Sequence, residues 1–452
     1  MGKRVVIIGA GSTMFSQKMI GDLLWFDDLD LDVIALVDIN EEKLELIRKV
    51  AENLVKQTGR KTQIIATKNR REVLPGADFV INTISVGGVE RYKRDLAIVD
   101  SYGINQNLGD IIGPAGIFRM LREYPEILGM CRDMEELCPD AYFFNYSNPC
   151  AALTIALNDA TPIKVFGICH NVQSTWVQLA DYLQVDRERL TYWCAGINHM
   201  DWFLELKIDG EDAYPKLWKI ANDREKILEA STRETYYSND HDPDGTILVD
   251  FVRFEIMKKF GYFVSESPFH MSEYTPYFRK NDEMIKEWRV DFRWWLKHEL
   301  STDKPFEEYK RLLDAGEDIP FQKSVEYVPE IIHALCTGKI YRANLNVSNK
   351  PGHIPNLPRQ AAVEIPCYVD AEGIHPCYVG ELPEQLAALN RSNVSEQILM
   401  AKAANEKKKQ YIYQAVMMDP FASAQCTLEQ ISNMMDELIE SHEEDGYLEG
   451  FE

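Results

Sequence analysis

The chain has 452 residues, of which 45% are hydrophobic, and carries a formal net charge of −23. These values predict a globular protein, in two domains or in one large domain with an elaborate second lobe. Because nucleic acids and anionic membranes bind basic surfaces, the negative charge argues against both as partners. No apolar run reaches the roughly 18 residues that span a bilayer, and the N-terminus does not read as a signal peptide. The nine scattered cysteines fit reduced thiols, so we expect a cytoplasmic protein.

The first part of the chain alternates strand-like and helix-like segments. Segments 15–26 and 41–57 have helical spacing. Apolar runs rich in β-branched and aromatic residues lie at 4–10, 32–38, 62–67, 78–84, 141–147 and 163–168. This alternation predicts an α/β domain over residues 1–190, with a Rossmann-type, doubly wound parallel sheet.

The pattern changes from about residue 190 onward. Long charged helical stretches lie at 215–230, 280–315, 391–417 and 427–443, and short strands containing Pro and Gly lie within 362–380. We therefore expect residues 191–452 to form a mixed α+β lobe packed closely against the first domain. The acidic residues 442–452 read as a solvated tail.

A glycine-rich loop joins the first strand to the first helix. Gly9 makes the tight turn of a dinucleotide site, and Gly11 lets a pyrophosphate approach the backbone. Ser12 and Thr13 open the helix, whose free N–H groups and positive dipole end favour phosphate. Asp38 closes the next strand, where a carboxylate accepts ribose hydroxyls and favours NAD over NADP. The alternative is a tight turn in a nucleotide-free protein, with Asp38 as an ordinary helix N-cap.

A second glycine cluster, "SVGGVERYKRD" (85–95), follows the fourth strand. Doubly wound folds bind their ligands at this carboxyl edge of the sheet. Arg91, Lys93 and Arg94 therefore either meet a polar substrate or begin a solvated basic helix.

Three polar segments are expected to converge at the same edge: "NYSNP" (145–149), "GICHN" (167–171) and "CAGINHM" (194–200). A Cys169 thiolate and a neutral His199 imidazole together suit a divalent metal ion with open positions for substrate and water. Taken singly, each residue also reads as a core cysteine or a hydrogen-bonded histidine. A fourth segment, 263–278, is either a surface loop or a lid over the site, and it contains His270, Glu273, Tyr274 and Tyr277.

Together these motifs resemble glycoside hydrolase family four, the NAD- and divalent-metal-dependent glycosidases. The resemblance rests on "GAGSTMF", "VGG", "NYSNP", "GICHNVQ", "CAGINHM", "EYTPYF" and the C-terminal stretch 346–370, so it covers nearly the whole chain. The α-galactosidase branch shares "CAGINHM" and the "EYTP" segment. The resemblance implies a nucleotide domain like that of lactate and malate dehydrogenases, and it implies NAD and Mn²⁺ or another divalent cation as cofactors.

The reaction implied by the resemblance is an oxidation at C3 of the sugar with NAD, deprotonation at C2, elimination of the aglycone, addition of water and re-reduction. Cys169 and His199 would be the metal ligands, and His170 the general acid. Asn148 would bind substrate near the metal. Tyr274 would be the base, with Tyr277 as the alternative, if a nearby cation lowers its pKa.

The sugar is less well defined than the reaction. His170 directly after Cys169 argues against a 6-phosphosugar in this family. The next residue, Asn171, is expected to contact the sugar near C5, but it matches neither the α-galactosidase nor the α-galacturonidase pattern. We expect an α-galactosidase, with α-galacturonidase or α-glucuronidase, α-glucosidase, and a malate-type dehydrogenase as alternatives. The basic residues of 90–94 would suit a uronate. The resemblance further implies a homodimer or homotetramer.

Overall fold

The structure is a computed structural model that describes residues 2–12, 15–232, 249–290 and 303–452. Its first half is a parallel sheet in the order β3-β2-β1-β4-β5-β6. The strands are β1 (Lys3–Ile8), β2 (Leu31–Val37), β3 (Gln63–Thr67), β4 (Phe79–Asn82), β5 (Tyr142–Asn145) and β6 (Lys164–Gly167). The central strands are buried on both faces, which is why they read as continuous apolar runs. The predicted α/β, doubly wound parallel sheet is confirmed.

Helices connect these strands on both sides of the sheet. They are α1 (Ser16–Trp25), α2 (Glu41–Thr58), α3 (Gly88–Ser101), α4 (Gly113–Leu137), α5 (Cys150–Ala160) and α6 (Asn171–Leu183). The two predicted helices, α1 and α2, lie where their spacing placed them. The crossover from β4 to β5 holds two helices. The basic residues of 91–94 lie in α3, as one of their two readings expected, whereas the sequence pattern did not indicate the long α4.

The second half extends the same sheet with antiparallel strands. They are β7 (Leu190–Ile197), β8 (Met200–Ile208), β9 (Glu211–Asp212), β10 (Tyr341–Ser348), β11 (Ala362–Asp370) and β12 (Gly373–Pro376). Strand β10 joins the parallel half by pairing Asn346 with Gly167 on β6. From there the order continues β10-β11-β7-β8-β9, with β12 paired to β11. The division at residue 190 stays a prediction, because one sheet passes through both halves.

The remaining helices cover this extended sheet and the first domain. They are α7 (Tyr214–Ala221), α8 (Arg224–Ser231), α9 (Phe251–Phe260), α10 (Pro268–Glu273), α11 (Asp282–Glu287), α12 (Asp303–Asp314), α13 (Val328–Thr337), α14 (Glu384–Glu406), α15 (Lys409–Met418), α16 (Pro420–Gln425) and α17 (Leu428–Glu444). The predicted stretch 391–417 is two helices, because Lys407 adopts a left-handed conformation with φ of 51°. Part of the predicted stretch 280–315 lies outside the described residues.

The C-terminal residues 442–452 are held against the fold at several points, although most of them are exposed. Leu448 is buried in the core on the side of α3 and α4. Asp445 accepts a hydrogen bond from Arg91 Nη1 at 2.8 Å and pairs with Arg94. The segment is therefore largely solvated, as expected, but it is not a free tail, because an apolar anchor and two arginines hold it. Among the described helices, none is long and apolar enough to cross a membrane.

Candidate active site

The glycine loop has the close packing that a dinucleotide site requires. Gly9 has φ of +88°, and a Cβ there would lie 2.8 Å from the backbone of Thr83. A Cβ on Gly11 would lie 2.8 Å from Asp38 Oδ2. Both positions therefore exclude a side chain, and the backbone stays open to a bulky phosphate group. Ser12 accepts a hydrogen bond from Phe15 N at 3.4 Å, just before α1. Thr13, also predicted to bind the cofactor, lies outside the described residues.

Asp38 supports the loop from the end of β2. Its Oδ2 accepts from Gly11 N at 2.7 Å and its Oδ1 from Asn40 N at 2.8 Å. The N-cap of α2 is Asn40, whose side chain accepts from Lys43 N. The N-cap alternative for Asp38 is thus wrong, and its carboxylate keeps lone pairs for a ribose. These features fit an adenosine diphosphate moiety at the N-terminus of α1.

Cys169 and His199 meet at the carboxyl edge of the sheet, as their motifs predicted. Cys169 Sγ lies 3.1 Å from His199 Nε2, although the residues come from different strand ends. Cys169 follows β6, and His199 sits in the two-residue turn between β7 and β8. His199 has φ of 63°, a backbone conformation that residues with a Cβ rarely adopt. This strained backbone conformation in the turn directs the imidazole of His199 towards Cys169 Sγ.

A second group of polar side chains surrounds this pair. Glu266 and His270 form an ion pair through His270 Nδ1. The ring of His270 packs edge-on against His199, with 4.3 Å between centroids. His270 Nε2 lies 3.8 Å from Asp110 Oδ1, and Asp110 Oδ2 accepts from Asn148 Nδ2 at 3.2 Å. The structure thus brings the predicted residues Cys169, His199 and Asn148 into one site.

Burial and neighbouring charges shift the pKa values of these groups. Burial, helped by the nearby His270, lowers the pKa of His199 to about 3, so its ring is neutral and able to bind a metal ion. Burial opposes charge on His270, but Glu266 and Asp110 outweigh it and raise its pKa to about 10. Burial also raises the pKa of the Cys169 thiol well above its usual value, with Glu364 adding to the effect.

The donor atoms fit a divalent metal ion. Ligand atoms of His199, Glu266 and His270 all lie within 4.8 Å of one another. Within the described part of the chain, His199 Nδ1, His270 Nε2 and Asp110 Oδ1 are buried without a hydrogen-bond partner. Buried polar atoms normally have partners, so a group of unpaired ones marks a position for a ligand. One thiolate with imidazole and carboxylate donors suits a transition-metal ion.

Tyr274, the predicted base, is buried among the charged groups of this site, whereas Tyr277 is exposed. Tyr274 is 1% exposed, and its buried hydroxyl is unpaired among the described residues. Burial raises its pKa well above 10, with Asp110 contributing. Tyr277 is 43% exposed, and its ring lies near Phe260 and Phe278. A bound cation beside Tyr274 would act against this raised pKa.

His170 lies at the rim of the site. Its side chain is 31% exposed, and its Nδ1 is 3.8 Å from Glu326 Oε1. It directly precedes α6, one residue after Cys169. This position leaves the imidazole accessible to a ligand beside the Cys169–His199 pair.

Asn171 is buried beside the site, and its predicted contact with the sugar stays a prediction. Its side chain is fully buried. Its Nδ2 donates to Asp201 Oδ2 at 2.7 Å and to Ser265 Oγ at 3.1 Å. As the first residue of α6, Asn171 turns inward, so its NH₂ group stabilises the buried Asp201 carboxyl. Its Oδ1 has no hydrogen-bond partner among the described residues.

The basic residues of α3 are also turned away from the site. Arg91 donates from Nε and Nη2 to Asp95 Oδ1, at 3.0 and 2.6 Å, and it is buried. Arg94 pairs with Asp445, and Lys93 with Glu90 at 2.7 Å. Of the two readings left open for these residues, the start of a basic helix is the one observed, and Asp445 pairs with both arginines.

Sequence reasoning did not identify Glu266 or Asp110, and it placed His270 only in a possible lid. Asp110 sits in an irregular loop between α3 and α4, without a recognisable motif. Glu266 has φ of 75° just before α10. This left-handed backbone conformation is known only from the structure, so the sequence offered no local signal for Glu266.

Comparisons with known proteins agree along the whole chain. Residues 4–185 match the model of the family 4 glycosyl hydrolases, and residues 194–422 match the model of their C-terminal domain. The α-galactosidase of Bacillus subtilis (strain 168) is 38% identical over 446 residues, which cover 97% of this chain and 98% of the relative.

Two solved structures support the same fold. A 6-phospho-α-glucosidase from gut microorganisms, in complex with NAD and Mn²⁺, has a TM-score of 0.84 at 21% identity and covers 98% of both chains. The lactate dehydrogenase of Eimeria maxima, with NADH and oxamate, has a TM-score of 0.51 at 12% identity, covering 89% of this chain and 94% of its own. The predicted likeness of the fold to lactate dehydrogenase is confirmed.

Proposed function

Because the chain belongs to glycosyl hydrolase family 4, we propose that it hydrolyses α-galactosides with the help of NAD and a divalent metal ion. Mn²⁺ is the metal ion that we expect. The observation that carries the proposal is the 3.1 Å approach of Cys169 Sγ to His199 Nε2, at the edge of the sheet that also holds the glycine loop. The 38% identity to an α-galactosidase along nearly its whole length supports this sugar.

The side chains of the site have separate parts in this proposal. When bound, the metal ion polarises the sugar oxygens and NAD accepts and returns the hydride at C3. Cys169 and His199 hold the metal, and Gly9, Gly11, Ser12 and Asp38 hold NAD. The Asn148 amide, fixed by Asp110, orients a sugar hydroxyl.

Two residues move protons. Tyr274 takes the proton from C2, and its buried, unpaired hydroxyl supports this choice over the exposed Tyr277. His170 gives a proton to the glycosidic oxygen, which its accessible position at the rim allows. Buried side chains around Tyr274 exclude water from the deprotonation step.

The pairing of the α3 arginines supports a neutral sugar. A uronate or phosphate needs a cation that is not already paired. Arg91 and Arg94 are paired with Asp95 and Asp445, so the α3 cluster does not supply one. This observation favours α-galactoside over α-galacturonide or α-glucuronide. It does not separate galactoside from α-glucoside, which stays as an alternative.

Hydrolysis of a panel of p-nitrophenyl glycosides tests the proposal. The panel contains the α-galactoside, α-galacturonide, α-glucuronide, α-glucoside and a 6-phosphoglucoside, with NAD⁺, Mn²⁺ and reductant each omitted in turn. We expect α-galactoside turnover that disappears without NAD⁺ or Mn²⁺, and no lasting NADH. Turnover of a uronide alone would reject the sugar, whereas lasting NADH would indicate a malate-type dehydrogenase.

We further propose a cytoplasmic protein that forms a homodimer or homotetramer. All nine cysteines are free thiols, which fits a reducing compartment. Sedimentation equilibrium tests the assembly, and a monomer across the working concentration range would reject it.

A further inference from the structure

The peptide groups on both sides of Cys169 depend on one distant side chain. Cys169 lies in the short loop between β6 and α6, so neither element supplies partners for its backbone. Its N–H donates to Tyr327 Oη at 3.2 Å, and Tyr327 Oη donates back to the Cys169 carbonyl at 2.8 Å. A single hydroxyl therefore satisfies both the donor and the acceptor of this residue.

Tyr327 is itself held firmly in place. Its side chain is 2% exposed, and it directly precedes α13. The same hydroxyl lies 3.1 Å from the carbonyl oxygen of Asn344 on β10. Its hydrogen is therefore shared between the carbonyl oxygens of Cys169 and Asn344. Three residues earlier, Ser324 N donates to Asp22 Oδ1 on α1 at 2.9 Å. The hydroxyl is thus bound to the sheet, and the segment that precedes Tyr327 is bound to α1, the helix that follows the glycine loop.

We propose that Tyr327 is a positioning residue for the metal site, which acts through the backbone of Cys169. With both peptide groups fixed, rotation about one side-chain bond decides where Sγ lies relative to His199 Nε2. Without the hydroxyl, the partly buried N–H and C=O of Cys169 lose their partner, and the loop rearranges to satisfy them. This inference rests on the proposed role of Cys169 as a metal ligand.

Tyr327→Phe tests the inference, because it keeps the buried ring and removes only the hydroxyl. Tyr182→Phe is a matched control, since Tyr182 is also buried and its hydroxyl donates to Asp250 Oδ2 at 3.0 Å, outside the site. The main measurement is the Kd for Mn²⁺ in the presence of NAD⁺, from the electron paramagnetic resonance signal of free Mn²⁺. Melting temperature and kcat are measured on the same samples.

We expect Tyr327→Phe to raise the Kd for Mn²⁺ by about 10- to 100-fold, the usual effect of losing a group that orients a metal ligand. Tyr182→Phe should leave this Kd within about twofold of the wild-type value, even if it lowers the melting temperature as much as Tyr327→Phe does. In a Cys169→Ser background, Tyr327→Phe should add little further loss of Mn²⁺ affinity. An unchanged Kd in Tyr327→Phe, or full additivity with Cys169→Ser, would overturn the proposal.

The same titration separates this inference from the proposed function. A wild-type protein that binds Mn²⁺ but cleaves no glycoside overturns the proposed function, and the Kd ratio still decides the role of Tyr327. A wild-type protein that cleaves glycosides while Tyr327→Phe binds Mn²⁺ normally overturns only the positioning role.

Discussion

The carboxylate of Glu273 holds the loop that carries Asp110, and Glu273→Gln should loosen that loop. Glu273 is 2% exposed at the end of α10. Its Oε1 accepts from the backbone N–H groups of Asn107 and Leu108, the latter at 2.7 Å, and its Oε2 accepts from Gly109 N at 3.1 Å. In glutamine one of these oxygens becomes an NH₂ group, which faces an N–H donor instead of accepting from it.

The cost follows from the number and type of bonds. A hydrogen bond to a charged group contributes about 1.5–3 kcal/mol, and a buried donor left unpaired costs a similar amount. Loss of one such bond and weakening of the others should lower the free energy of opening the loop by about 2–3 kcal/mol. Since about 1.4 kcal/mol is a factor of ten, amide hydrogens of the loop should exchange roughly 30- to 150-fold faster.

Hydrogen exchange of peptides within 104–112 measures this effect directly. Glu308→Gln is the control, because Glu308 is exposed and pairs only with surface charge on Arg311. A peptide that covers β5 reports on global unfolding. If the loop peptides exchange less than about threefold faster, or if β5 accelerates equally, the assigned role of Glu273 is wrong.

Three further outcomes follow from the site. Cys169→Ser should abolish NAD⁺-dependent glycoside turnover and weaken Mn²⁺ binding, because an alcohol is a far poorer ligand than a thiolate; unchanged turnover would remove Cys169 from the metal site. Asn171→Ser should lower the melting temperature, since Asp201 loses a buried hydrogen-bond partner at a cost of about 1–3 kcal/mol. The ratio of α-galactoside to α-galacturonide turnover should stay unchanged. A shift in that ratio would show that Asn171 contacts the substrate. Burial raises the pKa of Glu364 to about 7, so the folded metal-free protein holds a proton that the unfolded chain releases near pH 4.3. Its stabilising contribution is complete below that pH and is lost as the pH rises towards about 7. Melting temperatures of metal-free Glu364→Gln should therefore fall less with rising pH than those of the wild type, and parallel curves would refute this.

Local sequence was sufficient for the elements that depend on short-range physics. Continuous apolar runs rich in β-branched and aromatic residues predicted six parallel strands. The glycine pair predicted the loop, because backbone conformation at Gly9 and Gly11 follows from the absence of a side chain. The polar residues after β5, β6 and β7 were expected to meet at one edge of a parallel sheet, but β7 belongs to the antiparallel half. Cys169, His199 and Asn148 nevertheless meet.

Tertiary structure alone decided what faces these residues. Whether Asn171 points to a ligand or to Asp201 depends on the rotation of α6 against β8, and no spacing within α6 encodes that rotation. Arg91 and Arg94 pair with Asp445, which is 354 and 351 residues away in the chain. The hydroxyl of Tyr327 reaches Cys169 across 158 residues. Such contacts arise from the packing of separate elements around a shared core, and sequence periodicity describes each element without specifying its neighbours.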